Sequence, residues 1–385
     1  MSKILILVER FYPEDFLVND LAAEWKRQGH EVEVLTQVPS YPFDKIYDGY
    51  KNKMFQTTRE FNDIPVHRVS TIFGYNRSVI RKILNYLHFG FLTSLWAFWN
   101  GRKFDRVFIY HTAALTMASA SIPLKWVWRK PIAIWTQDLW PDAVWGFGFK
   151  PSKWKAFLLN AYVRFIYGRC DRIIVSCRRY VKRIKELTGR DAEWIPQWEP
   201  ADMHLPEKAS GGPVVFMFAG NMGVPQNLEN VIEGFKMANL KNAELWLVGG
   251  GVMAEPLQAK YRKVEGVKFC GRQPRADMPK WFAQADALII SLTNKYSLTL
   301  PGKFQSYIKT GKPLLGFLNG EARELIDEFR IGCTANPDDV AAIAATYKVM
   351  ARMFVDGEAI LCGQRANELS SKMFKRDDLI GKLIS

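Results

Sequence analysis

Apolar positions along this chain fall into two alternating regimes, short continuous runs and longer stretches with helical spacing. Lys3-Ile4-Leu5-Ile6-Leu7-Val8 is an unbroken apolar run that reads as a buried strand. A helical pattern from about Asn19 to Gln28 stops at Gly29, and Val32-Glu33-Val34-Leu35-Thr36 is the next strand. Strand, helix and strand at this spacing make a βαβ unit with parallel pairing. Further strands are predicted at 106–110, 131–135 and 171–176, with helices between. Ile195 to Pro200 and then Glu207 to Gly212 read as a linker. The alternation restarts beyond it, with strands at 214–218, 244–248, 267–269, 287–290 and 313–316 and a helix over 227–238. The predicted architecture is α/β: two doubly wound, Rossmann-like domains, residues 1–200 and 201–369, with a helix at about 370–385 able to cross back onto the first. Two such domains facing each other leave a deep cleft, and open parallel sheets take ligands at the C-terminal ends of their strands.

Composition narrows the class. With 385 residues, 48% hydrophobic and 24% charged, the chain is neither disordered nor a small disulfide scaffold. Its five cysteines are scattered; Cys170 and Cys177 could be half of a zinc site, but no second close pair completes it. All five read as reduced thiols. Met-Ser-Lys running straight into a strand is no secretory signal, so a cytoplasmic protein is expected.

The formal charge of +14 is unevenly spread. Residues 64–190 hold 22 Lys/Arg against 5 Asp/Glu, a net of +17, which leaves the remainder slightly acidic. A localised basic field attracts nucleic acid, anionic lipid or phosphorylated substrates. Aromatic content favours lipid: Leu84 to Trp99 is bulky and uncharged between Arg81/Lys82 and Arg102/Lys103, and Trp154 to Tyr167 is basic and amphipathic. Aromatics interleaved with Lys and Arg make an interfacial anchor. Three readings of 83–101 stand open: a core helix, a helix lying in a bilayer face, and a membrane span broken by Asn85 and His88.

Candidate chemistry clusters after strands. Phe218-Ala219-Gly220-Asn221-Met222-Gly223 runs a strand into a glycine turn ahead of a helix, where backbone can approach an anion. Gly249-Gly250-Gly251 follows the next strand. In Thr299-Leu300-Pro301-Gly302-Lys303-Phe304-Gln305-Ser306-Tyr307, Pro301 suits a first helical turn and Lys303 falls within it. A cation there opposes the helix dipole, which suggests an anionic ligand shared by both; a solvated lysine is the plainer reading. In the first half, Trp135 to Asp142 follows a strand, and Asp138 and Asp142 are two of only five acids in the basic region. Glu14 and His111 likewise follow strands, each as readily structural as catalytic. No GxGxxG opening a helix, GxxxxGK[ST], GxSxG, HExxH or DxD pattern appears, so classical dinucleotide, Walker-type, covalent-serine and metal-dependent chemistry is unsupported.

These residues resemble family 4 glycosyltransferases of the GT-B fold, in the bacterial surface-polysaccharide branch that contains N-acetyl-L-fucosamine and colanic-acid transferases. The resemblance runs nearly end to end. It is carried by Tyr12-Pro13-Glu14, Gly29 to Thr36, Pro39-Ser40-Tyr41-Pro42, Gln137-Asp138-Leu139-Trp140-Pro141, Ile195-Pro196-Gln197-Trp198, Ala219 to Gly223, Ser297 to Lys303, and Gln305-Ser306-Tyr307 before Gly311-Lys312-Pro313. It implies retaining transfer of a deoxyhexose or deoxy-N-acetylhexosamine from a nucleotide-diphosphate donor, UDP-linked, without metal or other cofactor. The acceptor it implies is a polyprenyl-diphosphate-linked saccharide of capsule or O-antigen assembly. Docking on the anionic inner face of the plasma membrane is expected; nucleic acid is not.

Under this resemblance the donor sits on Gly220, Asn221, Met222, Gly223, Gly249, Arg272, Thr299, Leu300, Pro301, Gly302, Lys303, Gln305 and Ser306. Lys303 meets the diphosphate charge. Asp138 or His111, and less so Glu14, orients the acceptor hydroxyl, with Tyr12, Gln137, Trp140 and Asp142 around the acceptor. Two departures mark the branch. The usual Glu-x7-Glu pair falls at Leu298 and Ser306, and the usual Arg and Lys of the glycine turn fall at Asn221 and Gln226. Two other classes compete: a sugar-nucleotide 2-epimerase of the same fold, and a basic nucleic-acid-binding α/β protein.

Overall fold

The structure, a computed structural model, describes residues 1–75, 77–146, 152–198, 203–208, 211–297 and 299–384. It divides into two compact units, Met1–Ile195 and Pro196–Ser385. The expected boundary at Pro200/Ala201, with Glu199, lies outside the described residues, as does Leu298.

The first unit is built on strands β1 (Lys3–Val8), β2 (Glu31–Gln37), β3 (Phe55–Phe61), β4 (Ile64–Val69), β5 (Arg106–His111), β6 (Ile132–Thr136), β7 (Arg172–Val175) and β8 (Glu193–Trp194). They form an eight-stranded sheet in the order β3-β4-β2-β1-β5-β6-β7-β8. All pairs are parallel except β3 with β4. Ile4 to Leu7 are fully buried, which is why β1 reads as an unbroken apolar run: helices cover both faces of a parallel sheet. The β3–β4 hairpin was not expected. Its signal is Asn62-Asp63, both at positive φ (47° and 52°), the two-residue turn that matches strand twist.

The second unit carries β9 (Val214–Ala219), β10 (Ala243–Val248), β11 (Val267–Gly271), β12 (Ala287–Ser291), β13 (Leu314–Phe317) and β14 (Gly332–Ala335). These form a six-stranded sheet in the order β11-β10-β9-β12-β13-β14, parallel throughout. One face holds Phe216, Phe235, Phe317 and Tyr347, with Tyr347 5.0 Å from Phe216 and 5.3 Å from Phe317 between ring centroids. The other buries Met217, Phe304, Tyr307 and Ile308.

In each sheet the strand order reverses once, beside β1 (β2 on one side, β5 on the other) and beside β9 (β10 and β12). Such reversals open a crevice at the carboxyl ends of the strands. The opening is visible at β9: it pairs with β12 only at Phe216 and Met217, short of its own end.

The segment 83–101 lies mostly within the helix Val79–Asn100, which buries Phe89, Leu92 and Trp96 and exposes Ile80, Leu87 and Phe91. It is therefore part core helix and part surface. Among the described residues, no helix is long and apolar enough to cross a membrane.

Candidate functional site: a lysine over a glycine loop

In the second unit, the loops after β9 and β10 interlock. The Gly220 amide donates to the Val248 carbonyl at 2.8 Å, the Met222 amide to Gly250 at 2.8 Å, and the Gly249 amide to Gly271 at 2.7 Å. A Cβ at Gly249 (φ +140°) would overlap the Gly220 carbonyl, and one at Gly251 (φ +146°) would stand 2.6 Å from both Asn221 Oδ1 and the Met222 carbonyl. Only glycine lets these two turns touch. A single 3₁₀ turn, Val224–Gln226, separates Gly223 from the helix Leu228–Ala238, and Gln226 Oε1 accepts from the Gly223 amide at 2.9 Å. Gln226 is thus spent on holding the turn.

Lys303 closes this loop from the opposite side of the crevice. Its helix runs Lys303–Lys309, so Pro301 stands just before the first turn rather than inside it. The lysine Nζ lies 3.5 Å from the centroid of the Phe218 ring. A Cβ on Gly220 would stand 2.6 Å from Lys303 Cε and 2.8 Å from Nζ, so glycine makes room for the ammonium. The Nζ is buried and has no hydrogen-bond partner among the described residues. Burial lowers its pKa to about 7 by stripping water from the charge. A buried lysine aimed at a glycine loop has the chemistry to hold an anion.

Tyr307 holds the geometry. Its hydroxyl donates to the Ala219 carbonyl and accepts from the Ala219 amide, both at 2.9 Å. It satisfies the end of β9 where β12 no longer pairs with it. Gln305, on the same helix, is 2% exposed and its Oε1 has no partner among the described residues, while Ser306 is half-buried. Leu300 packs on the core beneath, and Gly302 faces Gln197, whose Oε1 lies 3.4 Å from where a Cβ would be. Arg272 is exposed and crosses Gly250, its Nε 3.9 Å from a Cβ placed there. Lys303, Arg272 and the Gly220 and Gly249 loops thus share one strand-end edge.

In the first unit, the ends of β5 and β6 bring His111, Gln137 and Asp138 together. The Gln137 amide donates to the His111 carbonyl at 2.8 Å, and the Ala113 amide donates to Asp138 Oδ2 at 2.9 Å. Ala113 adopts φ +58° to do so. Burial raises the Asp138 pKa, only partly offset by that amide. His111 is fully buried, neither ring nitrogen has a partner among the described residues, and burial lowers its pKa to about 3, so the ring is neutral at physiological pH.

Two further expected site residues, Glu14 and Asp142, make hydrogen bonds within the protein. Glu14 Oε1 accepts from the Ser40 and Tyr41 amides at 2.8 and 2.6 Å and lies 3.4 Å from the Arg10 guanidinium. Through this oxygen the carboxylate fixes one loop to another. Asp142 makes a two-pronged pair with Arg183 at 2.9 and 3.1 Å. Tyr12 packs on Phe61 at 5.1 Å, and its carbonyl accepts from Arg68 at 2.6 Å. The bonds Tyr12-Pro13, Tyr41-Pro42 and Trp140-Pro141 are all cis. Sequence reading missed Glu9, Arg10 and Tyr307; the first two carried a signal, being charged residues directly after a buried strand.

Comparison with known proteins places this architecture. Residues 17–196 match the family of the glycosyl transferase 4-like domain, and residues 213–351 that of glycosyl transferases group 1. The chain is 26% identical over 204 residues to the probable glycosyltransferase WbjE of Pseudomonas aeruginosa, covering 49% of this chain and 51%, about half, of that relative. It is 23% identical over 353 residues to the putative colanic acid biosynthesis glycosyl transferase WcaI of Escherichia coli K12, covering 84% of each. The structure of Anabaena HepE in complex with UDP and glucose is similar at a TM-score of 0.71, with 15% identity, over 100% of this chain and 98% of that one. With a glycosyl transferase 4-like domain in its first half and a glycosyl transferases group 1 domain in its second, each built on a mainly parallel sheet, the chain is a glycosyltransferase of GT-B fold.

Proposed function

We propose that this chain transfers a sugar from a nucleotide-diphosphate donor, UDP-linked, to a polyprenyl-diphosphate-linked saccharide during synthesis of a bacterial surface polysaccharide. The observation that carries this reading is the buried Lys303 ammonium over Gly220, without a hydrogen-bond partner among the described residues. HepE holds UDP in its structure, and WbjE and WcaI bear glycosyltransferase names, WcaI that of colanic acid synthesis.

In this reading the donor diphosphate lies along the Gly220 and Gly249 turns, with its charge on Lys303 and Arg272. Breaking the sugar–phosphate bond builds negative charge on the leaving phosphate. A cation already desolvated and fixed stabilises that charge without reorganising water. Gln305 and Ser306 stand beside the nucleoside, where the branch lacks its usual glutamate. Asp138 or His111 orients the acceptor hydroxyl, whose oxygen bonds to the sugar on the face from which the diphosphate departs, the hydroxyl proton leaving with that phosphate, so that configuration is retained. No metal is assigned a role.

Docking on an anionic membrane is part of the proposal. The segment Leu115–Ala120 is flanked by two helices: Gly90 of Val79–Asn100 approaches the Thr116 carbonyl, and Tyr162 of Lys153–Tyr167 bonds Ser119 at 2.8 Å between hydroxyl oxygens. Their outer surfaces show Leu87, Phe91 (66% exposed), Trp154 (63%) and Phe157 (70%). Arg81, Lys153 and Lys155 stand among them. Exposed aromatics rimmed by lysine and arginine match a headgroup layer of opposite charge. This reading puts the protein at the cytoplasmic face, held peripherally.

The test is calorimetric titration of the purified protein with UDP, GDP and dTDP, repeated on Lys303→Met. UDP binding that weakens at least tenfold in the variant is expected. No nucleotide binding, or equal affinity in both proteins, would overturn the donor assignment. Anomeric analysis of the product by NMR decides retention.

A further inference from the structure

We propose that Glu9 binds a hydroxyl of the acceptor, making the crevice between β1 and β5 a recognition subsite for a neutral, hydroxyl-rich sugar. The inference rests on the transferase reading above and adds to it a residue and an acceptor chemistry.

Position comes first. In the register of β1 and β5, Val8 stands opposite Tyr110, so Glu9 follows at the level of His111. This is the point where the strand order of the first sheet reverses, the place at which an open parallel sheet accepts a ligand.

Glu9 is 2% exposed. Its Oε1 lies 3.2 Å from the Arg10 guanidinium and accepts from Gln37 Nε2 at 3.4 Å. Its Oε2 is buried and has no hydrogen-bond partner among the described residues. A carboxylate oxygen cut off from water and left without a donor is costly, and folded chains rarely keep one idle. The neighbouring strand end repeats the pattern, since neither nitrogen of His111 has a partner among the described residues. Glu14 differs: backbone amides occupy it, so it serves as framework.

The surroundings select the ligand. Arg10 is clamped between the rings of Tyr41 and Tyr75, at 5.2 and 5.3 Å, and lies within reach of both Glu9 and Glu14. That clamp fixes Glu9 in place and consumes the nearest positive charge. Tyr86, on the helix Val79–Asn100, lies close enough to sense the charges of Glu9, Arg10 and Asp138. With Arg10 engaged by Glu9 and Glu14, and with burial raising the pKa of Glu9, Glu14 and Asp138, this carboxyl-rich neighbourhood suits a hydroxyl better than an anion. The group that complements a bare carboxylate oxygen there is a neutral hydroxyl, and the hydrogen bond it makes to a charged acceptor is a strong one.

The experiment is saturation-transfer NMR of the full chain with millimolar methyl glycosides of neutral hexoses, 6-deoxyhexoses and N-acetylhexosamines. Methyl glucuronide serves as the charged control, and UDP affinity is measured in parallel by calorimetry. At least one neutral glycoside should bind the wild type and lose about tenfold or more in affinity in Glu9→Gln, the loss of one hydrogen bond to a charged group. UDP affinity should stay within about twofold, because the second unit is untouched. Should Glu9→Gln fail to fold, Glu9→Asp keeps the charge but withdraws it, and the same selective loss is expected. Absence of neutral-glycoside binding, affinity unchanged in the variants, or tighter binding of the glucuronide overturns the proposal. Glycoside binding without any UDP binding would instead overturn the donor reading and leave this one standing.

Discussion

The ammonium of Lys303 sits on the face of Phe218, with 3.5 Å between Nζ and the ring centroid. The aromatic face gives the cation a weak partner in place of water. That is too little to hold its pKa, which falls to about 7. An incoming diphosphate supplies what is missing.

A pH signature follows from this pair. Above about pH 7 the empty site is increasingly neutral, so binding a diphosphate takes up a proton, and affinity falls by up to about tenfold per pH unit. Calorimetry of UDP at pH 7, 8 and 9, in buffers of different ionisation enthalpy, measures both effects. Lys303→Met should bind weakly at pH 7 and show a flat profile; the same slope in both proteins would remove Lys303 from the site. The unliganded fold shows the opposite trend: a lysine in the unfolded chain keeps its proton up to the ordinary value of 10.5, so this group makes stability rise between about pH 7 and 10.5.

Tyr307→Phe tests how the site is held. Losing the hydroxyl leaves the Ala219 amide and carbonyl without their shared partner, a cost of about 1–3 kcal/mol. Denaturant midpoints should fall accordingly, and UDP affinity should drop with them because Gly220 is the next residue. A midpoint equal to wild type would show that β9 ends soundly without Tyr307.

His111 should make the protein acid-sensitive. Its folded pKa of about 3 lies below the 6.5 of a solvated imidazole, so as pH falls through 6.5 the unfolded chain binds a proton that the folded one refuses. At pH 5 that difference amounts to about 2 kcal/mol of lost stability. Comparing unfolding at pH 7.5 and pH 5 for wild type and His111→Gln isolates it. The variant should lose less on acidification, and an identical loss would show that the ring reaches solvent.

The exposed aromatics of Val79–Asn100 and Lys153–Tyr167 predict salt-sensitive binding to vesicles. Sedimentation with phosphatidylglycerol-containing liposomes should be strong at low salt, weaken as salt rises, and fall at least about fivefold in the double variant Phe91→Ser, Phe157→Ser. Thermal stability should be unchanged, since both rings face water. Binding to neutral vesicles at the same level would remove the electrostatic part of the docking surface.

The chain's own order of residues determined the two parallel sheets. Strands covered on both faces must be apolar throughout, so β1, β5, β9 and β12 stand out as runs without alternation. Where that covering is lost, legibility is lost: β3 is exposed and polar, and Gly-Cys-Thr-Ala of β14 carries little apolar signal. Lys303 was legible because a cation at a helix start opposes the dipole. Folding decided whether its charge is free. Phe218 and Gly220, which bury it, come from a strand far away in the chain, and no local pattern encodes their approach. The same holds for Glu14, expected beside the acceptor hydroxyl, and Asp142, expected around the acceptor: their hydrogen bonds to the Ser40 and Tyr41 amides and to Arg183 are set by folding alone. A carboxylate's chemistry depends on whether its donors are protein or ligand, and only tertiary packing assigns them.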